Sequence, residues 1–283
     1  MIETALLLLF LGVISGTLGS LLGIGGGMIV IPVLTVMVGL PIRYAIGASV
    51  IAVIATSSGA TIAYLRDDLL NLRVAMFLEI ATTIGAITGA ILTGIIHPLW
   101  LETIFGLFLL YSCFNMIQKL WGKGKANQTI VVHPDQWANK LKLNGSYYDK
   151  VSMSQNDYEV THVPGGFAMM YGAGLASGLL GIGSGVFKVI AMDTIMKMPL
   201  KPSSATSNLM MGVTAAASAT VYFFDGAIKP EIAAPLALGI LVGAAIGTRI
   251  MQRIQPRVLR IIFVPILFYM GLQMFLKGFG VTF

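Results

Sequence analysis

Residues Leu21-Leu22-Gly23-Ile24-Gly25-Gly26-Gly27 return as Leu179-Leu180-Gly181-Ile182-Gly183-Ser184-Gly185, 158 positions later. The same offset pairs Pro41 with Pro199, Arg43 with Lys201, Ser49 with Ser207, Tyr64 with Tyr222, Gly85 with Gly243, Gly89 with Gly247, Pro98 with Pro256, Phe105 with Phe263 and Tyr111 with Tyr269. A register held without a gap through both halves marks a duplication rather than a chance glycine match. Two apolar halves, each interrupted by a glycine cluster, form the pattern of secondary transporters built from duplicated, broken helices.

The composition agrees. Of 283 residues, 56% are hydrophobic and 11% charged, and the mean hydropathy is +0.86. That leaves too little polar surface to cover a soluble globule. Apolar stretches run from Ala5 to Leu22, Ala45 to Leu65, Val74 to Ile96 and Leu101 to Leu120, and they recur after Gly165. Each is near the ~20 residues a helix needs to cross the hydrocarbon. The first stretch has neither a basic leader nor a small-residue cleavage site, so it is expected to stay as a membrane segment. The expected fold is an all-α polytopic membrane protein with a first repeat over residues 1–121, a polar loop over 122–165 and a second repeat over 166–283. The single cysteine, Cys113, lies inside an apolar span and supplies neither a disulfide framework nor a thiolate metal cluster. No metal or other cofactor is expected. The net charge of +6 is spread over span ends instead of one face, so nucleic acid is not an expected partner.

Each half holds five apolar segments, but the second, Met28 to Val38, is too short to cross alone. It either pairs with the first as a re-entrant hairpin, leaving three full crossings, or takes part in five tilted ones. Both counts are odd, and odd counts invert the second half relative to the first. Inversion puts Arg66, Arg73, Lys119, Lys123, Lys125, Lys140, Lys142, Lys150, Lys197, Lys201, Arg249, Arg253, Arg257 and Arg260 on one side, against Arg43, Lys229 and Lys277 on the other. A parallel arrangement with four spans per half splits them ten against seven. Cytoplasmic loops collect Lys and Arg, so two inverted-topology repeats are expected, with both termini outside and the 122–165 loop in the cytoplasm. That loop nearly balances its lysines with Asp135, Asp149, Asp157 and Glu159, and its His133 and His162 are too isolated for a metal site. It reads as a partly ordered linker, with a regulatory or partner-docking role as the alternative.

Irregular backbone at membrane depth is tolerated only inside protein or along a cavity. Gly23 to Gly27 and Gly181 to Gly185 are therefore expected in the interior, with Gly25, Gly26, Gly27, Gly183, Ser184 and Gly185 as candidate substrate-binding positions. A new helix begins after each cluster, and its first N–H groups lack intrahelical partners and carry the positive end of the dipole. Inversion would bring two such ends together near the midplane, an arrangement suited to a small oxyanion. The competing reading is tight helix packing, which is preferred outright for Gly85, Gly89, Gly243 and Gly247. Neither cluster has nucleotide-loop spacing: Met28 breaks the first, and no Gly-Lys-Ser/Thr follows either.

Lys188 stands where the first half has Val30, one turn beyond the second cluster. A lysine at that depth requires a partner or water, and neutralising a bound anion is its expected role; a structural ion pair is the alternative. Asp193 lies off its face and is better placed for Lys197. Ser203, Ser204, Thr206, Ser207 and Asn208 replace a blander run in the first half; Ser207 and Asn208 are candidate uncharged ligand donors. Thr56 and Thr214 match across the repeats and can bond back to their own helices. Glu79, opposite Ala237, is a candidate protonatable coupling group. His97 and Glu102 are expected at a solvated outer turn.

The stretch Gly16 to Pro32 resembles the first signature of the TauE/SafE family of sulfite exporters. Gly181-Ile-Gly-Ser-Gly, Ala191-Met-Asp193, Pro199-Leu-Lys201 and Ala205-Thr-Ser-Asn208 resemble the second. The resemblance covers both apolar halves and implies a polytopic membrane protein that moves small sulfur-containing anions such as sulfite, thiosulfate or organosulfonates. Gly26 opposite Ser184, Pro32 opposite Ile190 and the long central loop depart from the symmetric form of the pattern. The spans contain no paired carboxylates, histidine cluster or nucleophile with a base, so an enzyme is not expected. Another small anion such as a carboxylate, a channel, or a scaffold acting through the loop are the alternative functions. The lipid bilayer is an expected partner, and a homo-oligomer is left open.

Overall fold

The computed structural model describes residues 2–22, 25–66, 68–121, 135–149, 153–251 and 256–279. Gly23 of the first cluster, Lys123, Lys125, His133 and Lys150 of the loop, and Arg253 lie outside the described residues. The first half contains α1 (Ile2–Leu22), α2 (Gly27–Pro32) running into a π-helical turn (Val33–Met37), α3 (Ile42–Arg66), α4 (Leu72–Ile95) and α5 (Pro98–Trp121). After α6 (Gln136–Lys140) and strands β1 (Gly145–Asp149) and β2 (Ser154–Tyr158), the second half contains α7 (Val163–Leu180) and α8 (Gly185–Ile190). A second π-helical turn (Ala191–Ile195), α9 (Leu200–Phe224), α10 (Pro230–Met251) and α11 (Pro256–Gly278) complete it. The bounds of α2, its π turn and α3 recur in α8, its π turn and α9 at the 158-residue offset. A proline is not required for a π turn at this place, because Ile190 stands before the second where Pro32 stands before the first.

Among the described residues, Ile42–Ile62, Leu72–Ile95, Val163–Leu180 and Pro230–Gly247 are long and apolar enough to cross a membrane. Thr4–Ser20, Gly27–Met37, Pro98–Phe114 and Val264–Gly278 are shorter apolar helices. Helix α4 shows how the surface divides. Met76, Ile80, Ile84, Ile91 and Ile95 are half or more uncovered and Ile87 over a third, along one stripe or close to it, whereas Leu78, Thr82, Gly85, Ala86 and Gly89 face inward. An apolar outer stripe of that length suits lipid and not water.

Glycines let the paired helices approach to backbone contact. Helix α1 packs on α10 and α4 on α7. A Cβ at Gly89 would sit 2.7 Å from Leu179 N, and one at Gly247 2.5 Å from Thr17 O. Gly85, Gly89, Gly243 and Gly247 thus serve packing. Because Gly12 meets Leu236 and Gly247 meets Thr17, α1 and α10 run in the same direction; Gly85 with Tyr171 and Gly89 with Leu179 make α4 and α7 parallel too. The other two large contacts run oppositely. Arg43 pairs with Asp225 while Ser57 meets Asn208, so α3 and α9 are antiparallel. Gly278 meets Thr103 while Cys113 donates to Val264 O, so α5 and α11 are antiparallel.

The segment from α7 through the second π turn leaves and returns to one end of the bundle: Thr161 N donates to Met196 O at 3.0 Å, and Gly166 lies against Met196. At the opposite end sit Arg43, Asp225, the Thr93–Tyr222 hydrogen bond, and Lys277, which donates to Thr35 O in the first π-helical turn. Glu102 is there as well. It is 6% exposed and pairs with Lys277 at 3.2 Å, so the expected solvated turn is corrected to a covered ion pair, formed because the far end of the chain folds over it. His97 is exposed.

Where a linker is expected, β1 and β2 form an antiparallel hairpin, with Tyr147 opposite Asn156. Leu143, Tyr147, Tyr158 and Val160 are buried in one cluster with Val74, Leu78, Met196, Met198 and Met210. The described part of the loop is thus packed onto the bundle. This hairpin is also the departure from an all-helical chain.

Candidate functional site

The two glycine breaks meet. A Cβ on Gly27 would lie 2.5 Å from Ser49 Oγ and 2.6 Å from Gly181 O, and one on Gly25 would face Val53, Ile182 O and Met211 Sδ. Gly183 faces Val53 and Met211 from the other side. Only a residue without a side chain fits at Gly27, while Gly25 and Gly183 also need positive φ, +82° and +73°. Gly25, Gly26, Gly27, Gly183, Ser184 and Gly185 are all buried. Ser49 Oγ donates to Gly181 O at 2.6 Å, tying α3 of the first half to the break of the second. Gly26 N donates to Thr56 Oγ1 at 3.3 Å. Ser184, itself at φ +48°, starts α8, and its buried Oγ has no hydrogen-bond partner among the described residues.

Lys188 lies one turn beyond the second break. It is 0% exposed. Its Nζ donates to Met210 O at 3.1 Å and to Thr214 Oγ1 at 2.5 Å, both on α9. Met211, between those two, touches both breaks, as Val53 does. The Thr214 hydroxyl in turn donates to Glu79 Oε1 at 2.7 Å, with Met210 O as its other acceptor at 2.6 Å. Glu79 is 9% exposed. Thr83 Oγ1 also reaches Oε1, at 3.3 Å, and Oε2 has no partner among the described residues.

The fold therefore brings together two residues that the sequence singles out separately, Lys188 and Glu79. The connecting Thr214 reads in the sequence only as a back-bonding threonine; it keeps that bond and adds the bridge. Ser207 and Asn208 are near the same break but have internal acceptors: Ser207 Oγ donates to Gly185 O at 3.1 Å, and Asn208 Nδ2 to Ser204 O at 3.0 Å. Among the described residues no group of three or more His, Cys, Asp or Glu is arranged to hold a metal.

A buried cation one turn beyond a glycine-lined break in the backbone is suited to receive a small anion. The comparisons agree with a transporter. Residues 8–274 match the model of the sulfite exporter TauE/SafE family. The chain is 25% identical over 279 residues to the probable membrane transporter protein YunE of Bacillus subtilis, covering 96% of this chain and 97% of that one. It is 28% identical over 287 residues to a probable membrane transporter protein of Methanocaldococcus jannaschii, covering 95% of each. No solved structure matches the chain. With the family model spanning nearly its whole length and its apolar helices able to cross a bilayer several times, the chain belongs to the TauE/SafE family of multi-pass membrane transporters.

Proposed function

We propose that this protein carries small sulfur-containing anions, of the sulfite, thiosulfate or organosulfonate class, by alternating access around a midplane site between two inverted repeats. The observation that carries this reading is Lys188, a fully buried cation one turn beyond the second glycine break, bonded to the stretch of α9 whose Met211 touches both breaks. Gly25, Gly26 and Gly27, and Gly183, Ser184 and Gly185, supply close backbone approach and N–H groups. Ser184 Oγ is a buried hydroxyl in want of a partner. Ser207 holds the break in the present state, and Ser207 and Asn208 exchange their backbone acceptors for the anion when it binds.

Inversion is supported by equivalent helices that pack antiparallel, α3 with α9 and α5 with α11. The return of Met196 to Thr161 favours the re-entrant form of the broken pair over five tilted crossings. The basic loops then lie with the 122–165 segment in the cytoplasm, and both termini outside. The experiment is uptake of labelled sulfite and thiosulfate by proteoliposomes, competed with taurine, sulfoacetate, sulfate and acetate. Competition by the sulfur anions, with loss of flux in Lys188→Ala, is expected. Competition by acetate alone would move the reading to carboxylates, and no uptake of either label would overturn it.

A further inference from the structure

We propose that Glu79 is an internal counter-ion that holds the Lys188 site through Thr214 in the empty carrier, and that it takes up one proton when the transported anion arrives, so that anion and proton cross together. This rests on the anion-carrier reading and adds its energy coupling. The duplication supplies most of the interior twice: Thr56 matches Thr214 and Ser49 matches Ser207. Lys188 and Glu79 are exceptions, opposite Val30 and Ala237, and the fold places these two unmatched charges on one hydroxyl. A pair serving only to join the halves has no need of an unsatisfied oxygen, yet Oε2 is buried with no partner among the described residues. An oxygen in that condition is a place for a proton.

An anion reaching Lys188 would stand close to the Glu79 carboxylate. Two negative charges that close in a dry site disfavour each other strongly, and protonating one relieves it. Thr214 is built for the exchange, because its single hydrogen has two acceptors in reach, Glu79 Oε1 and Met210 O. When the carboxyl is neutral, that hydrogen can turn to Met210 O while Lys188 is released to the anion. The proton enters from water onto Oε2, forming an O–H bond. It leaves Oε2 to water on the other side, when the anion leaves Lys188. One proton and one anion move per cycle.

The neighbouring groups leave this role to Glu79. Helix α4 packs against α7 and α9. On α7 the titratable side chain is Tyr171, whose hydroxyl lies by Thr88, over two turns away. On α9, Lys201 is at the start and Tyr222 bonds Thr93 and Gly178 near the opposite end. From the loop hairpin, Tyr158 bonds Asn71, two turns before Glu79. On α4 itself, Arg73 is exposed and donates to Lys142 O. From α8 comes Lys188, the charge that acts on Glu79.

Thiosulfate is the informative probe: it carries no proton of its own near neutral pH, so any proton entering with it is the protein's. Purified full-length protein is reconstituted in vesicles holding a pH dye, with the membrane potential clamped at zero. Wild type should acidify the lumen as labelled thiosulfate enters and accumulate it about tenfold per unit of pH gradient. In Glu79→Gln any remaining flux should ignore the gradient. Thiosulfate entry by wild type with no proton, or gradient-driven accumulation by Glu79→Gln, would overturn the coupling and leave the carrier reading intact. No thiosulfate flux in wild type would overturn both. The wild-type stoichiometry tests the coupling even if the variant fails to fold.

Discussion

Lys188 and Glu79 come from opposite halves of the chain and meet on one hydroxyl, that of Thr214, which lies 2.5 Å from Lys188 Nζ and 2.7 Å from Glu79 Oε1. Burying one charge of such a pair without the other is costly, about 3–5 kcal/mol, whereas removing both is often neutral. Lys188→Met alone should therefore lower the unfolding temperature in detergent. Lys188→Met with Glu79→Gln should recover much of that loss while staying inactive in anion uptake. Recovery of transport in the double variant would make the pair a structural clamp and nothing more.

Thr214→Val keeps the volume and removes the bridge. It leaves a buried ammonium and a buried carboxylate each short of a partner, a loss of about 1–3 kcal/mol per unsatisfied group. Flux should fall in Thr214→Val and largely persist in Thr214→Ser, which retains the hydroxyl. Equal flux in the two would show that the back-bond to Met210 O is the whole role of this residue.

Gly27 separates packing from chemistry. Its missing Cβ would lie 2.5 Å from Ser49 Oγ and 2.6 Å from Gly181 O, so Gly27→Ala must push α2 off the second break. Gly59, whose Cβ would meet only Ala244 Cβ at 3.5 Å, is the tolerant control. Gly27→Ala should express poorly or lose anion uptake, and Gly59→Ala should match wild type within about 0.5 kcal/mol of stability. Adding Ser49→Ala should rescue Gly27→Ala only in part, since the Gly181 carbonyl remains. Full activity in Gly27→Ala would mean that the crossing of the breaks is not rigid.

Much of this architecture is legible because duplication writes it twice. The 158-residue register places α3 and α9, and the short helices after each break, at matching bounds. It also sets Lys188 and Glu79 opposite apolar residues, Val30 and Ala237. What it does not reveal is that they meet, since Glu79 and Thr214 are 135 residues apart and join only through the packing of α4 on α9. Glu102 reads as solvated for the same reason: Lys277, its partner, arrives from the end of the second half. The hairpin escapes notice because Gly145–Asp149 and Ser154–Tyr158 are short and mostly polar, without the apolar alternation that announces a strand.

The hairpin is held to the bundle through Asn71, whose side chain does two things at once. Its Oδ1 accepts from Val74 N and caps α4, and its Nδ2 donates to Leu143 O and to the Tyr158 hydroxyl, each at 2.9 Å. Loss of the cap alone costs about 1 kcal/mol, so Asn71→Ala should both fray the start of α4 and loosen the hairpin. Tyr158→Phe should loosen the hairpin without touching the cap. Burial pushes the Tyr158 phenol above its ordinary value. The docked state therefore holds the proton more tightly than the undocked one, and its stability is complete below about pH 10 and declines above it as the undocked phenol ionises first. Hydrogen exchange over residues 145–149 and 154–158 should be slow in wild type at neutral pH, faster in both variants, and faster in wild type as pH passes that value once the intrinsic base-catalysed rate is divided out. Unchanged protection in Tyr158→Phe would show that burial of Leu143, Tyr147 and Val160 holds the hairpin without the hydroxyl.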